Sequence, residues 1–245
     1  MESEAVLSRS EGRTPTDPRS ISFQRGFTNH AQGSVLASFG ETRVLCTAYV
    51  ADGVPNFLKG KGQGWLTAEY SMLPSSTGSR KSRDRSGRVD GRSVEIQRLI
   101  GRALRGIVDL KRLTERTIWI DCDVLQADGG TRTCAISGAW VALHDALTWM
   151  DEKRFLRSWP LVDQLGAVSV GVVDGQPVCD LDYSEDSKAE VDMNLVMTGK
   201  GEFVEVQGSA EGKPFNRDLL NQMLEMGEGA IKRIFELQKA ALAGD

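Results

Sequence analysis

The stretch that decides the architecture is residues 117–150, TIWIDCDVLQADGGTRTCAISGAWVALHDALTWM. Its first part alternates Ile118, Ile120, Cys122 and Val124 with polar neighbours, the period of a strand with one buried face. Asp128-Gly129-Gly130 break that pattern, and the run from Cys134 onward reads as a helix. The loop between them is also a candidate site. Consecutive glycines let backbone amides turn toward one point. Thr133 is placed to cap the helix, whose N-terminus favours negative charge. Thr131 offers a hydroxyl, and Arg132 a fork of donors that matches two phosphate oxygens. Two readings fit these residues: an anion cradle, or a plain strand-to-helix turn with Arg132 paired to a nearby carboxylate.

Outward from this stretch, the chain organises into two halves. Residues 1–18 are polar, carry two prolines and lack periodicity, which predicts a loose tail or a flexible arm that orders on assembly. Ser20 to Val50 is strand-like, with a turn at Gly40-Glu41-Thr42. WLTAEYSML (65–73) is a further strand, ended by Pro74. In residues 93–110, Val94, Ile96, Leu99, Ile100, Ala103, Leu104 and Ile107 trace a helical stripe, with Ser93 as its expected cap. After a connection over 151–166, AVSVGVVDGQPVCDLDY (167–183) gives strand, Asp-Gly turn and strand again. A hairpin across Gly199-Lys200-Gly201 and a helix over about 216–242 complete the chain. The expectation is two α+β halves of related rhythm, about 19–150 and 164–245, packed as one unit.

Composition narrows the function. No run of 18 apolar residues exists, and the N-terminus lacks a signal-peptide pattern, so a cytoplasmic protein without a membrane span is expected. Cys46, Cys122, Cys134 and Cys179 form no CxxC pair and read as buried thiols. His30 and His144 form no cluster, which leaves a zinc site or a His-activated nucleophile without support. A net charge of −4 and a pI near 5.4 argue against wholesale binding of duplex nucleic acid, although a local basic patch can act alone.

Two more constellations carry chemistry. CDLDYSEDSKAEVDMN (179–194) holds Asp180, Asp182, Glu185, Asp186, Glu190 and Asp192. On a strand Asp180 and Asp182 would share a face, and Asp186 would return to them after a short turn. Carboxylates beside a phosphate suit Mg²⁺, with waters completing its six ligands; a solvated acidic turn is the other reading. The loop 77–92 carries Arg80, Lys81, Arg83, Arg85, Arg88 and Arg92 against two aspartates, a local excess of +4 on an acidic protein. An arginine-weighted loop without an apolar anchor suits a phosphate backbone. Cradle, carboxylates and basic loop together point to phosphoryl or nucleotidyl transfer on a polyanion.

The blocks GQGWLTAEYSMLP, GRSVEIQRLIGRALR, DCDVLQADGGTRT, DLDYSEDSKAEVDMN and EVQGSAEG, in unbroken order over about residues 10–242, resemble the ribonuclease PH family of phosphorolytic 3′ exoribonucleases that trim tRNA precursors. The resemblance implies an α+β fold of two βαβα-type halves, like domain 2 of ribosomal protein S5. It implies a homohexameric ring, a trimer of dimers. It places the attacking inorganic phosphate on Arg92, Gly130, Thr131 and Arg132, and a divalent metal, Mg²⁺ or Mn²⁺, on Asp180 and Asp186. Asp182 and Asp192 stand as supporters. Arg80 and Arg83 match arginines that hold tRNA, and Arg85 and Arg88 extend that set. Ser75 stands where the family carries an arginine, the basic loop is about one residue short, and Cys134 and Ser137 replace Ala and Thr. These departures touch RNA affinity more than chemistry. Phosphorolysis needs no side-chain nucleophile, because phosphate attacks the last phosphodiester and releases a nucleoside 5′-diphosphate. The alternatives are a catalytically silent RNA-binding ring subunit and a hydrolytic nuclease.

Overall fold

In the computed structural model, which describes residues 9–83 and 90–244, the alternating segments build two sheets. The first contains β1 (Ile21–Arg25), β2 (Gly33–Phe39), β3 (Thr42–Asp52), β4 (Trp65–Met72) and β5 (Arg116–Gln126), in the order β1-β2-β3-β5-β4. A tight turn joins β2 to its antiparallel neighbour β3, whereas β4 runs parallel to β5 because helix α1 (Gly91–Gly106) carries the chain back between them. The second sheet contains β6 (Leu165–Val173), β7 (Gln176–Cys179), β8 (Val191–Thr198) and β9 (Phe203–Ala210), all antiparallel, in the order β7-β6-β8-β9. The remaining helices are α2 (Thr131–Glu152), the short α3 (Tyr183–Asp186) and α4 (Arg217–Ala243).

Helix α2 organises the whole. It packs on β2 and β3 of one sheet and on β6 of the other, so it is buried nearly all round and has no single apolar face. At Gly138 an added Cβ would stand 2.6 Å from the Ala37 Cβ and 2.8 Å from the Cys46 Sγ, so the helix–sheet approach there admits only glycine. Helix α4 lies on β6 and β7 and reaches β1, and one apolar core runs through both halves. The four cysteines are free and buried within it. Ser137 is used in that core: its hydroxyl accepts the Ala167 amide at 3.1 Å, and its carbonyl accepts Gln238 at 3.0 Å. Among the described residues, no helix is long and apolar enough to cross a membrane.

Three local expectations are corrected. The arm is not loose from Arg9 onward. The Arg9 guanidinium, buried, donates to both Glu185 oxygens at 2.7 and 2.9 Å, and Cys179 N–H donates to the Pro15 carbonyl at 2.8 Å. Charge pairing rather than apolar periodicity anchors this segment, so a hydrophobic pattern cannot reveal it. Helix α1 starts two residues before Ser93 and is capped by Asp90, which accepts the Arg92 amide; Ser93 is buried inside the first turn. Helix α2 starts at Thr131 after Gly130, and the Thr133 hydroxyl donates back to the Gly130 carbonyl at 2.8 Å instead of capping.

Candidate functional site

The cradle forms where β5 runs out. Gly129 and Gly130 adopt left-handed backbone, with φ of 75° and 62°. A Cβ on Gly129 would strike the Leu181 carbonyl at 2.4 Å, so the loop is seated directly on the backbone that follows β7. No acceptor among the described residues takes the amides of Gly130, Thr131 or Arg132, which open the N-terminus of α2. Tyr70, buried on β4, donates its hydroxyl to Thr131 Oγ1 at 2.9 Å. That bond turns the Thr131 hydroxyl hydrogen away, leaving it as a donor. Burial pushes the Tyr70 phenol up to about 12, so it remains a donor.

Two cations flank the cradle. Arg92 sits in the first turn of α1 with its side chain exposed and without an ion-pair partner among the described residues. Arg132 is mostly buried, and its Nη1 donates to Glu95 Oε1 at 3.1 Å and Gln207 Oε1 at 2.7 Å. Gln207 in turn donates to Glu95 at 3.1 Å. The carboxylate pairing raised above for Arg132 therefore exists, and it comes together with the cradle rather than in place of it.

The acidic segment is arranged differently from a strand. β7 ends at Cys179, and Asp180 turns through left-handed backbone (φ 51°). Its carboxylate has no exposure and is held by Arg19, whose Nε and Nη2 donate at 2.9 and 2.7 Å and whose backbone amide adds a third bond at 2.8 Å. Asp180, expected as a metal ligand, thus has both oxygens committed and does not open into the cleft. Asp182 also leaves that role: it caps α3, accepting the Glu185 amide at 3.0 Å and the Ser10 hydroxyl at 2.7 Å.

Asp186, at the end of α3, does face the cleft. Asp192 enters from β8 beside it. Burial raises the Asp186 carboxyl against the pull of Arg92 and Arg132. Burial first, and then the Asp186 charge, pushes Asp192 up to about 6, against Arg132 and Arg92. The two carboxylates that share a site with the two arginines are therefore Asp186 and Asp192. Asp186, exposed at the cleft, and the partly buried Asp192 could serve as oxygen ligands of a hard divalent cation completed by water and phosphate oxygens.

The cleft in front of these groups has a volume of about 600 Å³ and is walled by Arg92, Gly129, Gly130, Thr131, Tyr183 and Asp186, with Thr77, Gly78, Ser79 and Lys81 along one side. The basic loop thus borders the cradle. Arg80 and Arg83 are exposed on it, as is Ser75; Arg85 and Arg88 lie outside the described residues.

Sequence comparison places this geometry in a class. Residues 17–148 match the model of the 3′ exoribonuclease family, domain 1 (RNase PH), and residues 163–230 match domain 2 of the same family. The chain belongs to the RNase PH family of 3′ exoribonucleases. Among solved structures, it is similar to rice (Oryza sativa) Rrp46, at 20% identity and a TM-score of 0.76 over 96% of this chain and 100% of that one. It is similar to the Archaeoglobus fulgidus exosome with RNA bound to the active site, at 20% identity and 0.78 over 94% and 92%. An archaeal exosome core matches at 19% identity and 0.77 over 95% and 91%. At these identities the likeness establishes the fold, the RNase PH-like α+β arrangement of two sheets and four helices.

Proposed function

We propose that the chain is a phosphate-dependent 3′–5′ exoribonuclease that trims the 3′ extensions of tRNA precursors, with other RNAs such as rRNA as further substrates. One observation carries the reading: Arg92, Gly130, Thr131 and Asp186 line a single cleft bordered by the arginine loop, and Arg132 and Asp192 lie close enough to act on Asp186 through their charge.

Two phosphate groups must approach each other for phosphorolysis, and their repulsion at about 4 Å is several kcal/mol at a protein surface. Arg92 and Arg132 offset it. The amides of Gly130 and Thr131 and the Thr131 hydroxyl hold inorganic phosphate with one oxygen toward the RNA 3′ end. That oxygen bonds to the phosphorus of the terminal phosphodiester while the P–O3′ bond breaks. The hydrogen phosphate proton goes to the leaving O3′, so the shortened RNA keeps a 3′ hydroxyl and a nucleoside 5′-diphosphate is released. Asp186 and Asp192 would hold Mg²⁺ or Mn²⁺, which supplies positive charge to the phosphoryl oxygens when bound. Arg80 and Arg83 grip the RNA body, with Arg85 and Arg88 in the same loop. The assembly is a homohexameric ring, and the compartment is the cytoplasm.

The test is product analysis on a tRNA with a 3′ extension. The chain should release nucleoside diphosphates only with phosphate present, and Arg132→Ala should lower that rate by about 100-fold or more while remaining folded. Nucleoside monophosphate in phosphate-free buffer would make it a hydrolase. RNA binding without product in either buffer would make it a silent ring subunit.

A further inference from the structure

Resting on that reading, we propose that Arg19 and Asp180 are a positioning pair that sets the phosphate cradle from behind. Arg19 joins the two halves of the molecule. On one side it takes both oxygens of Asp180, which follows β7. On the other, its Nη1 donates to the Asp128 carbonyl and its Nη2 to the Gly129 carbonyl at 3.4 Å. Thr42, fully buried at the start of β3, adds a third hold: its hydroxyl donates to the Gly129 carbonyl at 2.6 Å and accepts the Asp128 amide at 2.9 Å.

The geometry of the peptide makes this consequential. In a planar trans peptide the C=O and the following N–H point in opposite directions. Fixing the Asp128 and Gly129 carbonyls inward therefore aims the Gly129 and Gly130 amides outward, into the cleft. The glycines make the turn possible, but their freedom also means that something must choose one conformation. Arg19 and Thr42 make that choice, and Asp180 keeps the Arg19 guanidinium charged and oriented. Burial opposes the Arg19 charge, and the Asp180 carboxylate more than restores it. The whole device lies below the cradle: a Cβ on Gly130 would stand 3.0 Å from Arg19 Nη2 and 3.7 Å from Asp180 Oδ1. Asp180 acts on phosphate through Arg19, and it is not a metal ligand.

The experiment compares the 245-residue chain with its variants Asp180→Asn, Arg19→Lys and Thr42→Val. Each is assayed for phosphate KM and kcat in diphosphate release, for direct binding of inorganic phosphate by calorimetry, and for Mn²⁺ binding by electron paramagnetic resonance. All three variants should raise the phosphate KM and weaken phosphate binding by about 10- to 100-fold. They should keep most of kcat at saturating phosphate and leave Mn²⁺ affinity within about twofold. Thr42→Val carries the test if burying an unpaired Arg19 prevents Asp180→Asn from folding, because it removes the same hold on Gly129 without stranding a charge. Unchanged phosphate binding in the folded variants overturns the proposal, as does a loss of Mn²⁺ affinity in Asp180→Asn with phosphate binding intact. A wild type that binds phosphate but releases no diphosphate would sink the proposed activity, and the binding comparison would still decide the role of the pair.

Discussion

Arg132 of α2 donates to Gln207 of β9 at 2.7 Å, joining the first half of the chain to the edge strand of the second. The same guanidinium nitrogen reaches Glu95 of α1 at 3.1 Å, so three elements fix one cation at the mouth of the cradle. A flexible side chain becomes a preorganised one when its own donors are tied down.

Gln207→Leu should therefore leave Arg132 held, among the described residues, by Glu95 alone and less firmly aimed. A hydrogen bond to a charged group contributes enough that the phosphate KM should rise by about tenfold. The turnover number at saturating phosphate should change little. Initial rates over a phosphate series check this, and a fall in kcat with KM unchanged would contradict it.

The carboxylate assignment has its own test. Asp192→Asn and Asp186→Asn should each raise the Mn²⁺ concentration needed for half-maximal activity by about 10-fold or more, since each removes one of two protein ligands. Titration with Mn²⁺ at fixed phosphate reads the effect. If either variant keeps the wild-type metal requirement, that residue is not a ligand.

Arg9 is fully buried against Glu185, so Arg9→Ala strips that buried carboxylate of its two-bond partner and leaves it, among the described residues, only the longer Arg13 ion pair at 3.3 Å. The cost expected for breaking such a pair is about 3–5 kcal/mol. Thermal and urea melts should show it directly. A loss under about 1 kcal/mol would mean that the segment around Arg9 does not hold the α3 turn in solution.

On the outer face of the first sheet, Asp121 pairs in register with Glu69, with Asp123 two residues on. Burial, and then repulsion from Glu69, holds both Asp121 and Asp123 above the ordinary carboxylate range. A carboxyl raised in the folded state binds its proton more tightly there than in the unfolded chain. Its favourable contribution is present at low pH and is lost as pH rises through the folded value. Asp121→Asn should thus raise the melting temperature at pH 7, by about 2–4 °C for each 1 kcal/mol relieved. The gain should shrink as the pH falls into the carboxylate range. A lower melting temperature at pH 7 would show that the Asp121 charge has a partner in the assembled protein.

The strands, the three long helices, the glycine loop and the arginines at 92 and 132 were legible in the chain, because periodicity and turn chemistry are local properties. The residues proposed to hold phosphate lie beside features that a short window displays: a glycine pair before a helix, an arginine at a helix start. The carboxylates were not legible in the same way. Asp180, Asp182, Asp186 and Asp192 are alike as letters; spacing grouped 180, 182 and 186, and the family resemblance singled out 180 and 186. Only the fold shows that Asp180 is consumed by Arg19, that Asp182 is spent as a helix cap, and that Asp192 comes to Asp186 from another strand. Arg19 and Thr42 gave no local signal, since their partners lie 161 and 87 residues away, and Gln207, though in the block EVQGSAEG, finds its partner 75 residues away. Tyr70 stood in a recognisable block, but its task depends on contact with Thr131 across 61 residues. By itself the sequence determined the elements and the chemistry available to them. Which charges face each other, and which are buried in pairs, was decided by tertiary packing, because Coulomb energy and desolvation depend on distances that only the folded chain fixes.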